Sequence, residues 1–448
     1  MAKTGVKFVC QQCGATYSKW SGRCDNCGAW NSLLEQVPMS VGSHAVAKST
    51  GTVLAATSIT KLKDEDSKGR LSSGIKDIDI LLGGGFVAGS VVLLAGQPGM
   101  GKSTVLLQIA HAVAGGQKVL YVSGEESMSQ IKQRAGRLGA DAEMLELAST
   151  TSADNIAATI AQGVYSFVVV DSIQTIAMND IASAPGTVSQ ITNSANLLIQ
   201  ASKTSNTVLV LVGHVTKEGS IAGPKILEHL VDVVVNFEGD RYGGFKIMRA
   251  IKNRFGATNE AALFEMRDTG LEVVLNPSAA LLEERQNNDG SVVLATMEGN
   301  RPLLVEIQAL VNPTSFGYPK RTASGFDGNR LALLIAVLER RTKLNLSDKD
   351  IYINVVGGLK LADAAADLAV CMAIASAAAE RRLDSGAVVF GEVGLGGEVR
   401  TVLAADKRIS EAKKLGFTYA IGPKTRPASK FVRPVADMRD ALNTYLKK

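Results

Sequence analysis

Between residues 91 and 238 the chain alternates short, nearly unbroken apolar runs with stretches of helical periodicity. The runs at 91–95, 118–123, 167–171, 207–214 and 231–238 are rich in Val and Leu and too short for helices, the pattern of strands buried on both faces. Helices are predicted from 103 to about 114 and from 127 to 138, so strand and helix alternate and a mainly parallel sheet follows. Residues 245–253 and 262–274 add hairpin-like strands beside the turns Arg241-Tyr242-Gly243-Gly244 and Asp268-Thr269-Gly270. From about residue 277 strands at 291–297, 303–311, 351–356 and 388–393 mix with helices near 328–343, 361–382 and 402–415, which predicts a separate α+β domain. Residues 36–69 show neither period and are rich in Ser, Thr, Ala, Lys and Asp, a linker composition. A chain of 448 residues exceeds what one core serves. The expected divisions are a module at 1–35, a linker at 36–69, and domains at 70–276 and 277–448.

The turn after the run at 91–95 carries the most specific signal. Gly96-Gln97-Pro98-Gly99-Met100-Gly101-Lys102-Ser103-Thr104 fits G-x-x-x-x-G-K-[ST] between a strand and a helix, the order a phosphate-binding P-loop requires. Its glycines let backbone N–H groups curl around an anion, Lys102 reaches the β- and γ-phosphates of ATP, and the Ser103 hydroxyl ligates Mg²⁺. The helix from 103 points its positive dipole end at the same phosphates. A Gly-rich turn without a ligand is the alternative.

Two further strands end in acids. Phe167-Val168-Val169-Val170 leads into Asp171, the place for a carboxylate in the outer coordination sphere of Mg²⁺ beside a P-loop, the alternative being a cap for the next turn. The run at 119–122 leads into Ser123-Gly124-Glu125-Glu126, at the strand edge where ligands of open α/β sheets collect. Glu125 is favoured over Glu126 for positioning an attacking water; alternatively both simply open the helix from 127. His214 ends its strand before Val215-Thr216-Lys217 and is either a γ-phosphate sensor acting on 217–225 or a structural histidine.

Four of the five cysteines fall in Cys10-Gln11-Gln12-Cys13 and Cys24-Asp25-Asn26-Cys27, each pair followed by Gly. Two such turns complete a tetrahedral Zn²⁺ site, and a redox dithiol is disfavoured because no helix-forming segment follows either pair. Both tryptophans, Trp20 and Trp30, sit in this module with Phe8 and Tyr17, and are expected to pack around the metal rather than stack on bases. Cys371 lies in an apolar helix and reads as core.

Composition adds little: 46% apolar, 20% charged and a net charge of +5 permit a nucleic-acid partner without requiring one. The longest apolar run, 368–379, is too short and alanine-rich to cross a bilayer, and no signal-peptide core follows Met1-Ala2-Lys3-Thr4. A cytoplasmic location without a membrane partner is expected. No His follows His229, which excludes Ser-His-Asp chemistry from the C-terminal domain.

The segment Ser73-Gly74-Ile75-Lys76-Asp77-Ile78-Asp79 with Leu82-Gly83-Gly84-Gly85 resembles the entry to RecA/KaiC-type ATPases, and Lys252-Asn253-Arg254-Phe255-Gly256 matches the signature of the bacterial RadA (Sms) recombination proteins. The resemblance spans nearly the whole chain. It implies an α/β fold: a RecA-like P-loop ATPase core, an N-terminal four-cysteine zinc module and a C-terminal α+β Lon-protease-like domain. It further implies a homohexameric motor on single-stranded and branched DNA that acts in repair and drives branch migration alongside RecA. Lys252 and Arg254 would then reach the neighbouring subunit's nucleotide. Proteolytic Lon relatives carry a Ser nucleophile and a Lys base; matched by position, Ala365 and Asp406 stand there, with Lys407 adjacent to the base position, so no peptidase is expected. A protein-binding nucleotide switch and an ATP-dependent protease remain the alternatives to the motor.

Overall fold

The computed structural model describes residues 7–10, 15–28, 30, 33–36, 58, 60, 69–214, 226–239, 245–315 and 317–446. They divide into two compact units, Met1–Glu65 and Asp66–Lys448. The linker expected at 36–69 lies almost wholly outside the described residues.

In the first unit β1 (Lys7–Cys10) is flanked by β2 (Thr16–Tyr17) and β3 (Leu33–Gln36), antiparallel to both. Among the described residues its buried cluster is Cys24 and Leu33, with Phe8, Ala15 and Tyr17 against them. The tryptophans do not join it, contrary to the expectation from sequence. Trp20 is 58% and Trp30 73% exposed, and both rings come within 3.9 Å of the β-carbon position at Gly22. The buried cluster among the described residues is one thiol and one leucine with three side chains against them, too small a group to enclose two indoles.

The second unit opens with α1 (Lys76–Leu81). Next come β4 (Val91–Gly96), α2 (Lys102–Ala114), β5 (Val119–Ser123), α3 (Met128–Leu138), β6 (Leu145–Ser149), α4 (Ala153–Ala161), β7 (Phe167–Asp171), α5 (Val188–Ser205), β8 (Val208–His214), α6 (Ile226–Leu230) and β9 (Val233–Gly239). β10 (Lys246–Asn253), β11 (Ala261–Arg267) and β12 (Gly270–Val273) complete a nine-stranded sheet of order β12-β11-β10-β9-β4-β8-β7-β5-β6. The six strands from β9 to β6 are parallel, and β10, β11 and β12 extend them antiparallel. Along β4, Val92 and Leu94 pack with α2 while Val91 and Leu93 pack with α4 and α5, which is why the strand is apolar at every position. Edge strand β6 escaped the sequence reading because its Leu-Glu-Leu-Ala-Ser is only half buried.

After α7 (Pro277–Leu282) a second sheet begins. β13 (Ser291–Glu298), β14 (Arg301–Pro313), β15 (Arg321–Ser324), α8 (Gly328–Thr342), β16 (Lys349–Val355), α9 (Ala366–Ala379), β17 (Ala387–Val389), the hairpin β18 (Glu392–Val393) and β19 (Val399–Arg400), α10 (Ala405–Lys414), β20 (Tyr419–Gly422), β21 (Val432–Pro434) and α11 (Met438–Tyr445) follow. Seven strands form the order β15-β16-β14-β13-β17-β20-β21. The helix expected from 361 starts only at Ala366, because Asp363 accepts from the backbone N–H of Met297 and of Ala365 and fixes the approach in a turn. The run expected at 388–393 breaks after Val389, where Gly391 donates to the Ala365 carbonyl instead of a strand partner. Cys371 is fully buried, as expected of core, and burial pushes its thiol pKa up. The two sheets share one compact unit: Ile247 and Leu263 pack in the same cluster as Val292 and Leu303, and Arg301 pairs with Asp77 at 3.0 Å.

Candidate nucleotide and metal sites

The P-loop joins the last residue of β4 to the first turn of α2. Gly101 caps α2 at φ +98°, a left-handed conformation that favours glycine, and a β-carbon on Gly96 would stand 2.5 Å from the Phe237 carbonyl oxygen. Lys102 is buried and folds back, its Nζ donating to the carbonyls of Gly96 at 2.8 Å and Gln97 at 2.9 Å. A third contact, 3.1 Å, reaches Nδ1 of His214, which is Gly96's register partner on β8. Burial lowers the Lys102 pKa to about 8, with the nearby Asp171 and Glu125 charges opposing the shift.

Asp171 ends β7 and accepts a hydrogen bond from the Tyr121 hydroxyl at 2.7 Å. The two glutamates part company. Glu125 accepts from the Ser172 hydroxyl at 2.5 Å and lies 3.5 Å from Nε2 of His214. Glu126 is instead clamped by Arg134, whose Nη1 donates at 2.8 Å and whose Nη2 makes a second contact. His214 therefore stands between Lys102 and Glu125, one ring nitrogen toward each. Tyr121 and Ser172 were missed by sequence reasoning; the signal for Tyr121 was a phenol inside an otherwise apolar strand, where its hydroxyl must find a partner.

The Lys252-Asn253-Arg254-Phe255-Gly256 motif lies elsewhere. Asn253 pairs with Val233 at the start of β9, whereas Gly96 pairs with Phe237, so motif and P-loop are about 13 Å apart along the strand direction, at opposite strand ends. Lys252 Nζ donates to the carbonyls of Glu228 and Val231, both at 2.7 Å. Arg254 is half exposed and donates to Asp232 at 2.8 Å, while Asp232 also accepts from the Val91 N–H. Asn253 reaches the Leu81 carbonyl, and Phe255 with Gly256 packs on the turn at Gly83.

In the first unit Cys24 is buried, Gly28 donates to its carbonyl at 2.8 Å, and the Tyr17 hydroxyl lies 3.3 Å from its sulfur. Cys27 is exposed in the same turn. Cys13 and the Cys10 side chain lie outside the described residues, and among those described no cluster of three ligand side chains forms.

Residues 55–220 match the AAA domain family and residues 8–35 the rubredoxin metal binding domain family. The chain is 48% identical to a DNA repair protein RadA of Bacillus subtilis, over all of both chains. It is 45% identical to a DNA repair protein RadA of Pseudomonas aeruginosa over the same full extent. The chain belongs to the RadA family. A solved RadB recombinase is 23% identical, with a TM-score of 0.36 over 46% of this chain and 99% of that one.

ATP with Mg²⁺ and Zn²⁺ are the cofactors of a RadA chain with these two domains. The residues fit them. A left-handed glycine turn with an inward lysine suits a polyphosphate, and the Cys24–Cys27 turn, with its first thiol already facing inward, suits one half of a thiolate site. No described helix is long and apolar enough to cross a membrane. At the start of α9 Ala365 is fully buried, where a nucleophile would need a hydroxyl. Lys407 is turned to the Asn300 carbonyl at 3.4 Å. The cation buried from α10 is Arg408, 2% exposed, which donates to Asp363 and to the Ala295 carbonyl, each at 2.7 Å. A guanidinium stays protonated and cannot serve as a general base.

Proposed function

We propose that this chain is an ATP-driven DNA motor that assembles as a homohexameric ring on single-stranded and branched DNA and promotes branch migration together with RecA. The observation that carries the reading is the placement of Lys252 and Arg254 at the strand ends opposite the chain's own P-loop. In a head-to-tail ring, that face of one subunit meets its neighbour's nucleotide. Both cations then act in trans on the charge that develops during phosphoryl transfer.

Within a subunit, Lys102 neutralises the β- and γ-phosphates, Ser103 and Asp171 would hold Mg²⁺, and Glu125 orients the attacking water. A γ-phosphate competes with the Gly96 and Gln97 carbonyls and His214 for the Lys102 ammonium. His214, released from Lys102, reports that change to the loop 217–225, which lies outside the described residues. Mg²⁺ supplies charge neutralisation at the phosphates. The zinc module contacts partner proteins, and the C-terminal domain, with 24 basic against 19 acidic residues from 277 to 448, holds DNA phosphates.

The test is the ATPase rate with and without single-stranded DNA. A rise on adding DNA, lost steeply as salt increases, is expected for a ring that binds phosphates through counterion release. A rate indifferent to DNA fits a protein-binding switch and overturns the motor.

A further inference from the structure

Tyr121 lies on β5, between β7 and the edge strand β6 of the nine-stranded sheet, with 1% of its surface exposed. Its register partner on β7 is Val169, so Asp171, two residues on, is its diagonal neighbour on the same sheet face. That geometry lets the phenol run under the strand ends and donate its one proton to Oδ2 of Asp171 at 2.7 Å. The same phenol oxygen interacts with the Ser103 hydroxyl from the first turn of α2. One buried side chain thus bonds to one of the groups assigned above to Mg²⁺ and interacts with the other.

We propose that Tyr121 is a positioning residue for the metal site. It holds one oxygen of Asp171 so that the other faces the metal, and it sets the Ser103 hydroxyl beside it. The proposal rests on the assignment of Ser103 and Asp171 to Mg²⁺. Its physical basis is the competing cation: Lys102 feels the Asp171 charge, and a carboxylate freed from the phenol would turn toward that ammonium. Volume alone does not require the hydroxyl, because phenylalanine fills the same space in the core.

The experiment is Tyr121→Phe in the full chain, with a fluorescent ADP analogue titrated first in excess EDTA and then across a Mg²⁺ series. Thermal melts verify folding. The metal-free affinity is expected within about twofold of wild type, while the Mg²⁺ concentration that gives half of the tight-binding signal rises about tenfold, the weight of one hydrogen bond to a charged group. A Mg²⁺ curve that coincides with wild type overturns the proposal. So does an equal loss of metal-free and metal-bound affinity, which marks Tyr121 as a core residue only. Asp171→Asn in the same titration separates the two levels: if it leaves the Mg²⁺ dependence unchanged, the metal assignment itself fails.

Discussion

Nζ of Lys102 lies 3.1 Å from Nδ1 of His214, across the ends of two adjacent parallel strands. The sheet register decides this contact, since the residues are 112 positions apart in the chain. Nε2 of the same imidazole faces Glu125 at 3.5 Å, so the ring joins the phosphate-binding cation to the acid proposed to orient water.

The burial of Lys102 bears on the proton balance of nucleotide binding. Lys102 has a pKa of about 8 in the folded chain, against ~10.4 unfolded. In that window the folded state binds fewer protons, so the stability of the nucleotide-free chain rises as pH goes from about 8 to about 10. Phosphates restore the charge. At pH 8, binding should take up about half a proton, read by calorimetry in buffers of different ionisation enthalpy. Lys102→Arg, always charged, should bind without uptake; equal uptake in both proteins would refute the assignment.

Arg254→Ala should leave nucleotide binding by isolated subunits intact and lower DNA-stimulated turnover by about 10³-fold or more, as for a trans-acting arginine. The melting temperature should change little, because the Arg254 side chain is half exposed and Asp232 keeps the Val91 N–H. Rings mixed from Arg254→Ala and Lys102→Ala subunits pair some intact P-loops with intact arginines. Partial activity should return; its absence in verified mixed rings would favour a structural role in cis.

Metal analysis of the reduced protein should find one zinc per chain. Cys27→Ser should release it and leave the melting of the second unit unchanged, since the two units are compact separately. A zinc-free wild type, or a common melting transition that collapses with the metal, would contradict this.

Asp363→Ala should destabilise the second unit by about 3–5 kcal/mol in denaturant unfolding, because it strands a buried guanidinium. Pairing it with Arg408→Met should recover part of the loss. The Asp363 pKa is held low by Arg408 and two backbone N–H donors against the effect of burial. Its contribution is therefore present at neutral pH and disappears as pH falls through the folded value. Ala365→Ser should yield no peptidase activity, as Arg408 supplies no base.

What the sequence determined by itself was whatever is contiguous. The P-loop, the strand-helix alternation from 91 to 214 and the two Cys-x-x-Cys turns depend on neighbours in the chain, and local sterics and burial on both faces write them into residue order. The preference for Glu125 over Glu126 could be argued from position, but only the Arg134 clamp on Glu126 and the approach of His214 to Glu125 separate them in space. The phenol that joins Asp171 and Ser103, the guanidinium that fills the buried cation position of α10, and the opposite strand ends occupied by the P-loop and Arg254 follow from packing and strand register between segments far apart in sequence. No local pattern encodes that register. The exposed tryptophans teach the same lesson in reverse: an aromatic reads as core until the volume of the core it would enter is known, and that volume exists only in the folded unit.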